Sequence, residues 1–291
     1  MFRRFAMLAL TLLSTALPAA AAEKDGTVFM WKAEKENGAA VYLLGSIHAL
    51  REDAYPLPEV IEAAFDQSDV VVFEIDLDKM TSVATKMLEA GSLGDGQTLE
   101  KVVGPAVWSE FSTKMNAAGM RSGMFQFMKP WMAAITVAAF ELESAGYTSE
   151  SGIDTHFWNR AKETGKETRA LETADFQVGL FASLTPEESL AFLEYTLADL
   201  ETMIPQLDEL AEFWSSGDAQ SMKEVRGEEF ADYPDLFEKL IGARNRAWLP
   251  AIEELLAGDR DAMVVVGAMH LVGEDGIVEM LRQSGFSVIQ L

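Results

Sequence analysis

Cysteine is absent from this chain, and histidine occurs only three times in 291 residues. Without cysteine the fold contains no disulfide, and no thiolate is available as a nucleophile or as a metal ligand. The chain also lacks a His-Glu-x-x-His zinc motif, a Gly-x-Ser-x-Gly nucleophile elbow, a glycine-rich phosphate loop and a dinucleotide-binding fingerprint. Any site chemistry therefore falls mainly to imidazole and carboxylate groups.

Basic side chains are scarce, with 23 lysines and arginines against 47 aspartates and glutamates, so the formal net charge is −24 at pH 7. A chain this acidic repels nucleic acid and anionic membrane surfaces, and we expect no nucleic-acid partner. The same charge favours cations or basic partners, although solubility alone is a sufficient explanation for it.

Long hydrophobic runs are lacking except at the N-terminus. Arg3 and Arg4 precede an apolar segment over Ala6–Leu17, and Ala20–Ala22 follows it, which is typical of a secretory signal peptide. We therefore predict a signal peptide over residues 1–22 and a periplasmic or secreted protein. No later segment offers about 18 uninterrupted apolar residues, so we predict no membrane span in the mature protein.

Short apolar runs alternate with helical patterns through residues 23–291, which we interpret as a single domain. Almost no strand signal occurs near 79–150 and 174–257, so these stretches are predicted to be helical insertions that form a cap. The pattern predicts an α/β (α+β) fold with a central mixed β-sheet built from both chain ends. The predicted strands are Val28–Trp31, Val41–Leu44, Val70–Ile75, Thr168–Leu171, Met263–Val266 and Ser287–Leu291.

Two of these strands, near opposite ends of the chain, finish in the same four-residue pattern. The second strand runs into Gly45–His48, and the fifth runs into Gly267–His270. Ligands in open α/β sheets bind beyond the carboxyl ends of the strands, and glycine lets the backbone turn sharply and approach a ligand closely. We therefore expect His48 and His270 to meet at one site, as a metal centre or an acid–base centre requires.

Carboxylates follow two other predicted strands. Glu74 comes after the third strand and Glu172 after the fourth. A carboxylate at the end of an apolar strand is costly to bury unless a cation or a metal ion pairs with it. Two histidines and one or two carboxylates form a familiar ligand set for a catalytic divalent metal, so His48, His270 and one or both of these glutamates are candidate metal ligands. The alternative is that Glu74 and Glu172 cap helices or pair with an arginine.

A helical segment predicted over Leu236–Leu256 carries Arg244 and Asn245. Arg244 shares a helix face with Trp248, four residues later. An arginine on a buried face needs a carboxylate partner, and Glu74 or Glu172 would serve. The alternative is an arginine that binds a carboxylate of the substrate.

Three further polar residues are less specific. Asp154 starts a predicted helix, where the helix dipole stabilises a carboxylate without any functional role. His156 is predicted to lie at the surface or against the cap. Ser46 lies beside His48, and a serine nucleophile there is an alternative, although no elbow motif surrounds it.

Taken together, these residues resemble the TraB/PrgY/GumN superfamily, which includes the Tiki metalloproteases, and the similarity is greatest to its GumN-like branch. The similar segments span nearly all of the predicted mature chain. They are Gly45–His48, Phe73-Glu74, Gly152–Asp154, Gly165-Lys166, Leu171–Thr173, Gln177, Arg244-Asn245, Trp248, Gly267–Leu271 and Gly273–Gly276.

The resemblance implies an α/β core related to the erythromycin-esterase-like and haem-binding ChaN-like folds. In the Tiki branch, paired Gly-x-x-His motifs and an acidic residue are associated with metal-dependent proteolysis. Carried over to this chain, those residues are His48, His270 and Glu74. Glu172, Arg244 and Asn245 match further family positions, so the resemblance implies a place for them in the same site.

The leading hypothesis is a metal-dependent hydrolase that acts on a peptide or protein substrate and uses a divalent transition metal, namely manganese, cobalt or zinc. Glu74 would be the third metal ligand or the general base, and Glu172 would support the metal ligands or be a further ligand itself. Arg244 and Asn245 would stabilise the oxyanion or hold the substrate.

Two alternatives stay open at the level of sequence. One is a non-catalytic protein that captures a peptide, haem or a metal ion in the same cleft. The other is metal-free acid–base chemistry by the two histidines. The sequence does not decide whether the protein is an enzyme, and it does not indicate an oligomeric state.

Overall fold

The computed structural model describes residues 26–35, 38–230 and 234–291. The signal peptide predicted over residues 1–22 lies outside these ranges. The described chain contains one six-stranded sheet, in the order β4–β3–β5–β2–β1–β6. Its strands are β1 (Met30–Glu34), β2 (Val41–Ser46), β3 (Val70–Phe73), β4 (Glu167–Ala170), β5 (Ala262–Gly267) and β6 (Ser287–Gln290).

The sheet is mixed and is assembled from both ends of the chain, which confirms the predicted fold class. Strands β4, β3, β5 and β2 run parallel to one another, whereas β1 pairs antiparallel with both β2 and β6. Every residue of β2, β3 and β5 is buried, as expected for parallel strands that are covered on both faces. Because four neighbouring strands run in the same direction, their carboxyl ends meet at one edge.

Helices occupy most of the remaining described chain, including most of the predicted insertions. They are α1 (Glu59–Gln67), α2 (Met80–Ala90), α3 (Leu99–Ala117), α4 (Pro130–Ser144), α5 (Ile153–Thr164), α6 (Ala174–Ala182), α7 (Pro186–Asp199), α8 (Met203–Ser215), α9 (Ala219–Phe230), α10 (Pro234–Phe237), α11 (Ala243–Ala257), α12 (Ala268–Leu271) and α13 (Ile277–Gln283).

Helices α2–α4 and α6–α10 form the cap, which covers the carboxyl edge of the sheet. Apolar side chains divide into two clusters. The larger joins the sheet to α1, α5, α8, α11 and α13. The smaller lies within the cap and is built around Phe111, Phe125, Trp131 and Leu193. The cap therefore has apolar packing of its own and also contributes side chains to the main core.

The segment predicted as one helix over Leu236–Leu256 is divided in the structure. Helix α10 leads into a π-helical segment, Glu238–Gly242, and α11 follows directly. A π-helical turn widens the backbone by one residue and is frequent at functional sites. Here it immediately precedes Arg244, which lies on the buried face of α11.

No helix in the described part of the chain is both long and apolar enough to cross a membrane.

Candidate active site

Polar side chains from four neighbouring strands meet at the carboxyl edge of the sheet. His48 follows β2, Glu74 follows β3, Glu172 follows β4, and His270 follows β5. The Nε2 atom of His48 lies 4.0 Å from Oε1 of Glu74, and Nε2 of His270 lies 3.9 Å from the same oxygen. The structure therefore brings the three predicted ligands together, although two of them are about 220 residues apart in sequence.

His48, Glu74 and His270, with Arg244, form the floor of a small cavity of about 70 Å³, whereas Glu172 does not line it. Gln177 on α6 adds one polar group to its wall. A cavity of this volume holds a few water molecules. The apolar roof comes from the cap and from the π-helical segment that follows α10. It consists of Leu180, Phe181, Leu207, Leu210, Met222, Leu240 and Ile241.

His48 is held by a carboxylate that the sequence interpretation left out of the site. Its Nδ1 lies 2.5 Å from Oδ2 of Asp154, on α5. The carboxylate accepts, so Nδ1 carries the proton and Nε2 is left for the cavity. Burial by itself lowers the pKa of His48, but Asp154 and, at a greater distance, Glu74 outweigh it and raise the pKa to about 9.

Asp154 reaches His48 because α5 begins against the loop after β2. The Ile153 amide donates a hydrogen bond to the Ile47 carbonyl oxygen at 3.0 Å. A Cβ atom at Gly152 would lie 2.2 Å from the carbonyl oxygen of His48, so the approach requires glycine. In the sequence, Gly152 followed two positions later by Asp154 was the available sign of this contact. It was not used because the helix dipole already explained a carboxylate at Asp154.

Glu74 is buried at the centre of the cluster. Its Oε1 accepts a hydrogen bond from the Gly267 amide at 2.7 Å, and its Oε2 accepts one from Nη2 of Arg244 at 2.5 Å. Burial raises the pKa of Glu74, but Arg244 and the two imidazoles outweigh it and lower the pKa to about 2. The carboxylate is therefore ionised across the physiological range.

Arg244 binds two carboxylates at once, as one of its two predicted roles required. Its Nε and Nη2 donate to the two oxygens of Glu172 at 2.7 and 2.9 Å, and Nη2 also donates to Glu74. Its Nη1 contacts the Leu240 carbonyl oxygen and Nε2 of His270, each at 3.1 Å. All five N–H groups of the guanidinium thus have protein acceptors, so none is left to bind a carboxylate of a substrate.

Glu172 receives a further hydrogen bond, from the Trp248 indole at 2.9 Å. The Arg244 guanidinium lies 4.7 Å from the centre of the Trp248 ring, which matches the shared helix face. Burial raises the pKa of Glu172, and Arg244 opposes that change. Glu172 therefore binds both the Arg244 guanidinium and the Trp248 indole, and it shares Nη2 of Arg244 with Glu74.

Asn245 determines which nitrogen of His270 carries the proton. The Asn245 amide nitrogen donates to the carbonyl oxygens of His270 and Asp275 at 3.1 and 2.8 Å, so its Oδ1 faces the ring. That oxygen lies 2.6 Å from Nδ1 of His270, which must therefore be protonated. Burial, and then the charge of Arg244, lower the pKa of His270 well below its usual range, so the ring is neutral. Asn245 is fully buried and touches protein groups only, which favours a positioning role over direct contact with a substrate.

Both Gly-x-x-His motifs begin with glycine because there is little room for a Cβ atom at either position. A Cβ atom at Gly45 would lie 2.4 Å from the Phe29 ring, and one at Gly267 would lie 3.3 Å from Oε1 of Glu74. Neither glycine has a positive φ. The close neighbours at both positions are side chains of the protein itself, and the predicted close approach to a ligand stays a prediction.

Ser46 is a polar group without a partner in this cavity. It lines the cavity floor and is 2 % exposed, and its hydroxyl has no hydrogen-bond partner among the described residues. A buried hydroxyl without a partner is uncommon and indicates a position where a water molecule or a ligand atom binds.

His156 is the histidine that stays outside the site. Its Nε2 lies 3.2 Å from Oε1 of Glu62, and its ring packs against Tyr55 with 5.0 Å between ring centres. His156 lies partly buried on α5, and its side chain lines neither the floor nor the roof of the cavity.

A model of the TraB/PrgY/gumN family matches residues 29–290 of this sequence. The chain belongs to the TraB/PrgY/gumN family. The match covers both Gly-x-x-His motifs and the Arg244 network, so family membership confirms the resemblance that these residues indicated.

Two bacterial relatives of this TraB/PrgY/gumN protein are the uncharacterized proteins YbaP of Escherichia coli (strain K12) and Shigella flexneri. Each is 27% identical over 241 residues, which cover 83% of this chain and 87% of the relative. A third relative is the metalloprotease TIKI homolog of Amphimedon queenslandica, 25% identical over 194 residues, or 58% of this chain and 38% of that protein. No solved structure matches the chain significantly, so the relation to erythromycin-esterase-like and ChaN-like folds stays a prediction.

The name of the Amphimedon queenslandica relative raises the question whether this family member has a donor set for a metal ion. Two ligands about 2.1 Å from one ion lie at most about 4.2 Å apart, and the distances from Glu74 to His48 and His270 are just inside that limit. However, the lone pair of His270 Nε2 accepts from Arg244, whose positive charge occupies the adjacent space. In the described ranges no group of three metal-binding side chains is arranged around one point. The residues in this arrangement therefore do not fit a divalent ion.

Proposed function

We propose that this protein is a hydrolase of carbonyl substrates, with peptides as the favoured class, and that His48 carries the proton in the reaction. The observation that supports this most is that the two ring nitrogens of His48 have different surroundings. Nδ1 of His48 is bound to buried Asp154, while Nε2 faces the cavity beside a buried network of charges. That is the arrangement of a histidine base with its orienting carboxylate.

In the proposed reaction, neutral His48 takes a proton from a water molecule at Nε2 as the water attacks the carbonyl carbon. Asp154 keeps the ring in the productive tautomer and stabilises the imidazolium that forms. The imidazolium then donates the proton to the leaving group as the tetrahedral intermediate collapses. The raised pKa of His48 agrees with strong stabilisation of the protonated form.

Ser46 and Arg244 have different parts in this proposal. The Ser46 hydroxyl is the unpartnered donor in the cavity floor, and we assign to it a hydrogen bond to the carbonyl oxygen of the substrate. Arg244 has no N–H group to spare, so it acts through its charge and by holding Glu74 and His270 in place. Glu74, whose two oxygens accept hydrogen bonds from the protein, is assigned a positioning role.

The roof of the cavity supports an apolar substrate group next to the reacting carbonyl. The cap contributes leucine, isoleucine, methionine and phenylalanine side chains there, with Gln177 as the polar exception. A charged substrate group would lose its hydration without gaining a partner. The enclosed volume of about 70 Å³ is smaller than a peptide or haem, so we propose that the cap moves when either binds.

The test is hydrolysis of fluorogenic peptides that carry leucine or phenylalanine beside the reporter bond. We expect His48→Ala and Asp154→Asn to lower kcat/KM by about 10²-fold or more, because the first removes the base and the second its orienting partner. His156→Ala is the matched control, since it removes a histidine outside the cavity. Binding of peptides without turnover, equal in the wild-type protein and the variants, would favour the non-catalytic alternative.

A metal-dependent peptidase is the second candidate, and two observations favour it. One relative is named a metalloprotease, and Nε2 of His48 and Nε2 of His270 each lie within 4.0 Å of Oε1 of Glu74, although Arg244 would have to release His270 before an ion could bind. Metal content by mass spectrometry, after exposure to manganese, cobalt or zinc, separates the candidates. About one ion per chain, lost in both His48→Ala and His270→Ala, would establish the metal site. Full activity in the presence of a strong chelator, with no bound metal, would exclude the metal-dependent candidate and favour the acid–base mechanism of His48.

Localisation in the periplasm or outside the cell is part of the same proposal. Its support is the signal-like sequence over residues 1–22. Fractionation of cells that produce the full chain, together with the mass of the mature protein, would test both the location and the cleavage site.

A further inference from the structure

Carboxylates are missing from one stretch of this otherwise acidic chain. Of the 291 residues 47 are aspartate or glutamate, yet none lies between Glu110 and Glu141. The same stretch contains Lys114, Arg121 and Lys129. In a protein with a net charge of −24, this part of the cap is locally basic in sequence.

The stretch also contains the two most exposed large apolar side chains of the described protein. Met124 and Phe127 are each 70% exposed. They belong to the turn between α3 and α4, and Leu88, at 55% exposure, lies near the end of α2. We call Leu88, Met124 and Phe127, together with Arg121 and Lys129, the cap tip.

The cap tip is presented by a packed turn. The Leu93 amide donates to the Phe127 carbonyl oxygen at 2.8 Å, and the Lys129 amide donates to that of Gly91 at 2.6 Å, which joins the turn to the end of α2. Between the two exposed side chains, Phe125 is buried edge-on against Phe111, with ring centres 5.0 Å apart. Met124 and Phe127 are therefore held outwards by the packing beneath them.

We propose that the cap tip docks on an anionic phospholipid surface. Met124 and Phe127 would enter the boundary between headgroups and acyl chains, where apolar side chains of peripheral proteins insert. Arg121 and Lys129 would lie at the level of the lipid phosphates. Neither side chain has an ion pair within the described ranges, so both are available to phosphate. This proposal does not depend on the proposed hydrolase function.

A lipid surface suits the cap tip better than a second copy of the chain. Three partly exposed side chains offer at most a few hundred Å² of apolar area, whereas a stable dimer buries about 800 Å² on each partner. Insertion into lipid needs only one or two protruding side chains and nearby cations.

The overall negative charge opposes this docking and limits its strength. Glu89, Asp95 and Glu100 lie on the neighbouring end of α2, the following loop and the start of α3, where Lys101 offsets one of them. At physiological ionic strength, charges beyond about 8 Å are largely screened, so local groups dominate. We therefore expect weak, reversible binding.

Sedimentation with vesicles tests the proposal on the mature chain. We expect binding to vesicles of phosphatidylcholine and phosphatidylglycerol in equal amounts, and weaker binding to phosphatidylcholine alone. A Met124→Ser and Phe127→Ser double variant should bind the anionic vesicles at least about tenfold more weakly than the wild type. An Arg121→Glu and Lys129→Glu double variant should lose the preference for anionic vesicles. Ile289→Ser, which removes a side chain 53% exposed on β6, is the matched control and should bind as the wild type does.

Three results would overturn the proposal. The first is no binding to anionic vesicles by a folded wild-type protein. The second is equal binding by wild type and both double variants. The third is dimerisation in solution that the serine variants abolish, which would assign the cap tip to a second copy. Circular dichroism of each variant keeps misfolding separate from loss of binding.

Discussion

The Nδ1 atom of His48 lies 2.5 Å from Oδ2 of Asp154, across 106 residues of sequence. The contact leaves Nε2 of His48 as the ring nitrogen that faces the cavity. It also raises the pKa of the ring to about 9 against the effect of burial. A base with that pKa is protonated at neutral pH, which makes the pH dependence of activity informative.

We expect kcat/KM of the wild-type protein to rise with pH up to about 9, because His48 must lose its proton to act as a base. In Asp154→Asn the carboxylate that raises the pKa is gone, and burial then lowers it, so the rise should move to lower pH. A pH–rate profile and a proton-resonance titration of His48 measure the same group independently. A wild-type activity that falls as the pH approaches 9 would make His48 an acid instead and contradict the mechanism.

Removal of the Ser46 hydroxyl should separate activity from stability. Ser46→Ala should lower kcat by about 10²-fold if the hydroxyl binds the carbonyl oxygen in the transition state. Because the buried hydroxyl has no partner in the described protein, the same change should leave the melting temperature unchanged or higher. Peptide hydrolysis and thermal unfolding check the two halves. Unchanged turnover would remove Ser46 from the mechanism.

Neutralisation of Glu74 should destabilise the fold. Glu74→Gln leaves the buried Arg244 with one carboxylate partner fewer, and loss of one partner of a buried ion pair costs about 3–5 kcal/mol. Unfolding in urea measures this free energy.

Glu167→Gln is the control for that substitution. Like Glu74, Glu167 is ion-paired with arginine, in its case with both Arg169 and Arg260, but its side chain is 41% exposed. We expect a cost below about 1 kcal/mol there. Equal costs at the two positions would mean that burial does not determine the strength of the Arg244 network.

Acid should lower the free energy of unfolding by protonating Glu74. The pKa of Glu74 is about 2 in the folded protein, below its ordinary value of 4.5. Its contribution to the free energy of unfolding is therefore fully present above pH 4.5 and is lost as the pH falls through about 2. The stability difference between wild type and Glu74→Gln, measured by urea unfolding at several pH values, should shrink over that window. A difference that stays constant would refute the assignment.

A methyl group at position 152 should displace the loop that carries His48. Gly152→Ala places a Cβ atom 2.2 Å from the His48 carbonyl oxygen, so backbone must move, at a cost of roughly 1–3 kcal/mol. Activity should fall with it, because His48 and Asp154 separate. Gly179→Ala is the control: it lies in α6 with open space around it, and a helical alanine there should be neutral or stabilising. Thermal unfolding and peptide hydrolysis of both variants check the prediction.

Much of the site was predictable because its residues follow strands. Apolar runs mark β2, β3 and β5, and a short extended segment marks the polar edge strand β4. Parallel neighbours end at the same edge, so the side chains that come next must meet there. This argument finds His48, Glu74, Glu172 and His270. The helix period adds Arg244, since Trp248 shares its buried face and a buried arginine requires carboxylates.

Other features had no local signal. Asp154 looks like an ordinary acidic residue at a helix start until α5 packs on the loop after β2. The lone pair of His270 looks available to a metal ion until Arg244 is seen to use it. The π-helical segment before Arg244 is likewise hidden, because its sequence reads as a continuous helix over Leu236–Leu256.

The sequence by itself determined the six strands, the family and most of the residues at the carboxyl edge, because these depend on short-range periodicity and on motifs. Only the tertiary structure decided which groups touch. Whether His48 pairs with Asp154, and whether Arg244 faces substrate or carboxylates, depends on distances of a few ångströms between segments far apart in the chain. Burial then sets the charges, since the cost of desolvation and the pull of neighbouring ions exist only once the cap and the sheet have come together.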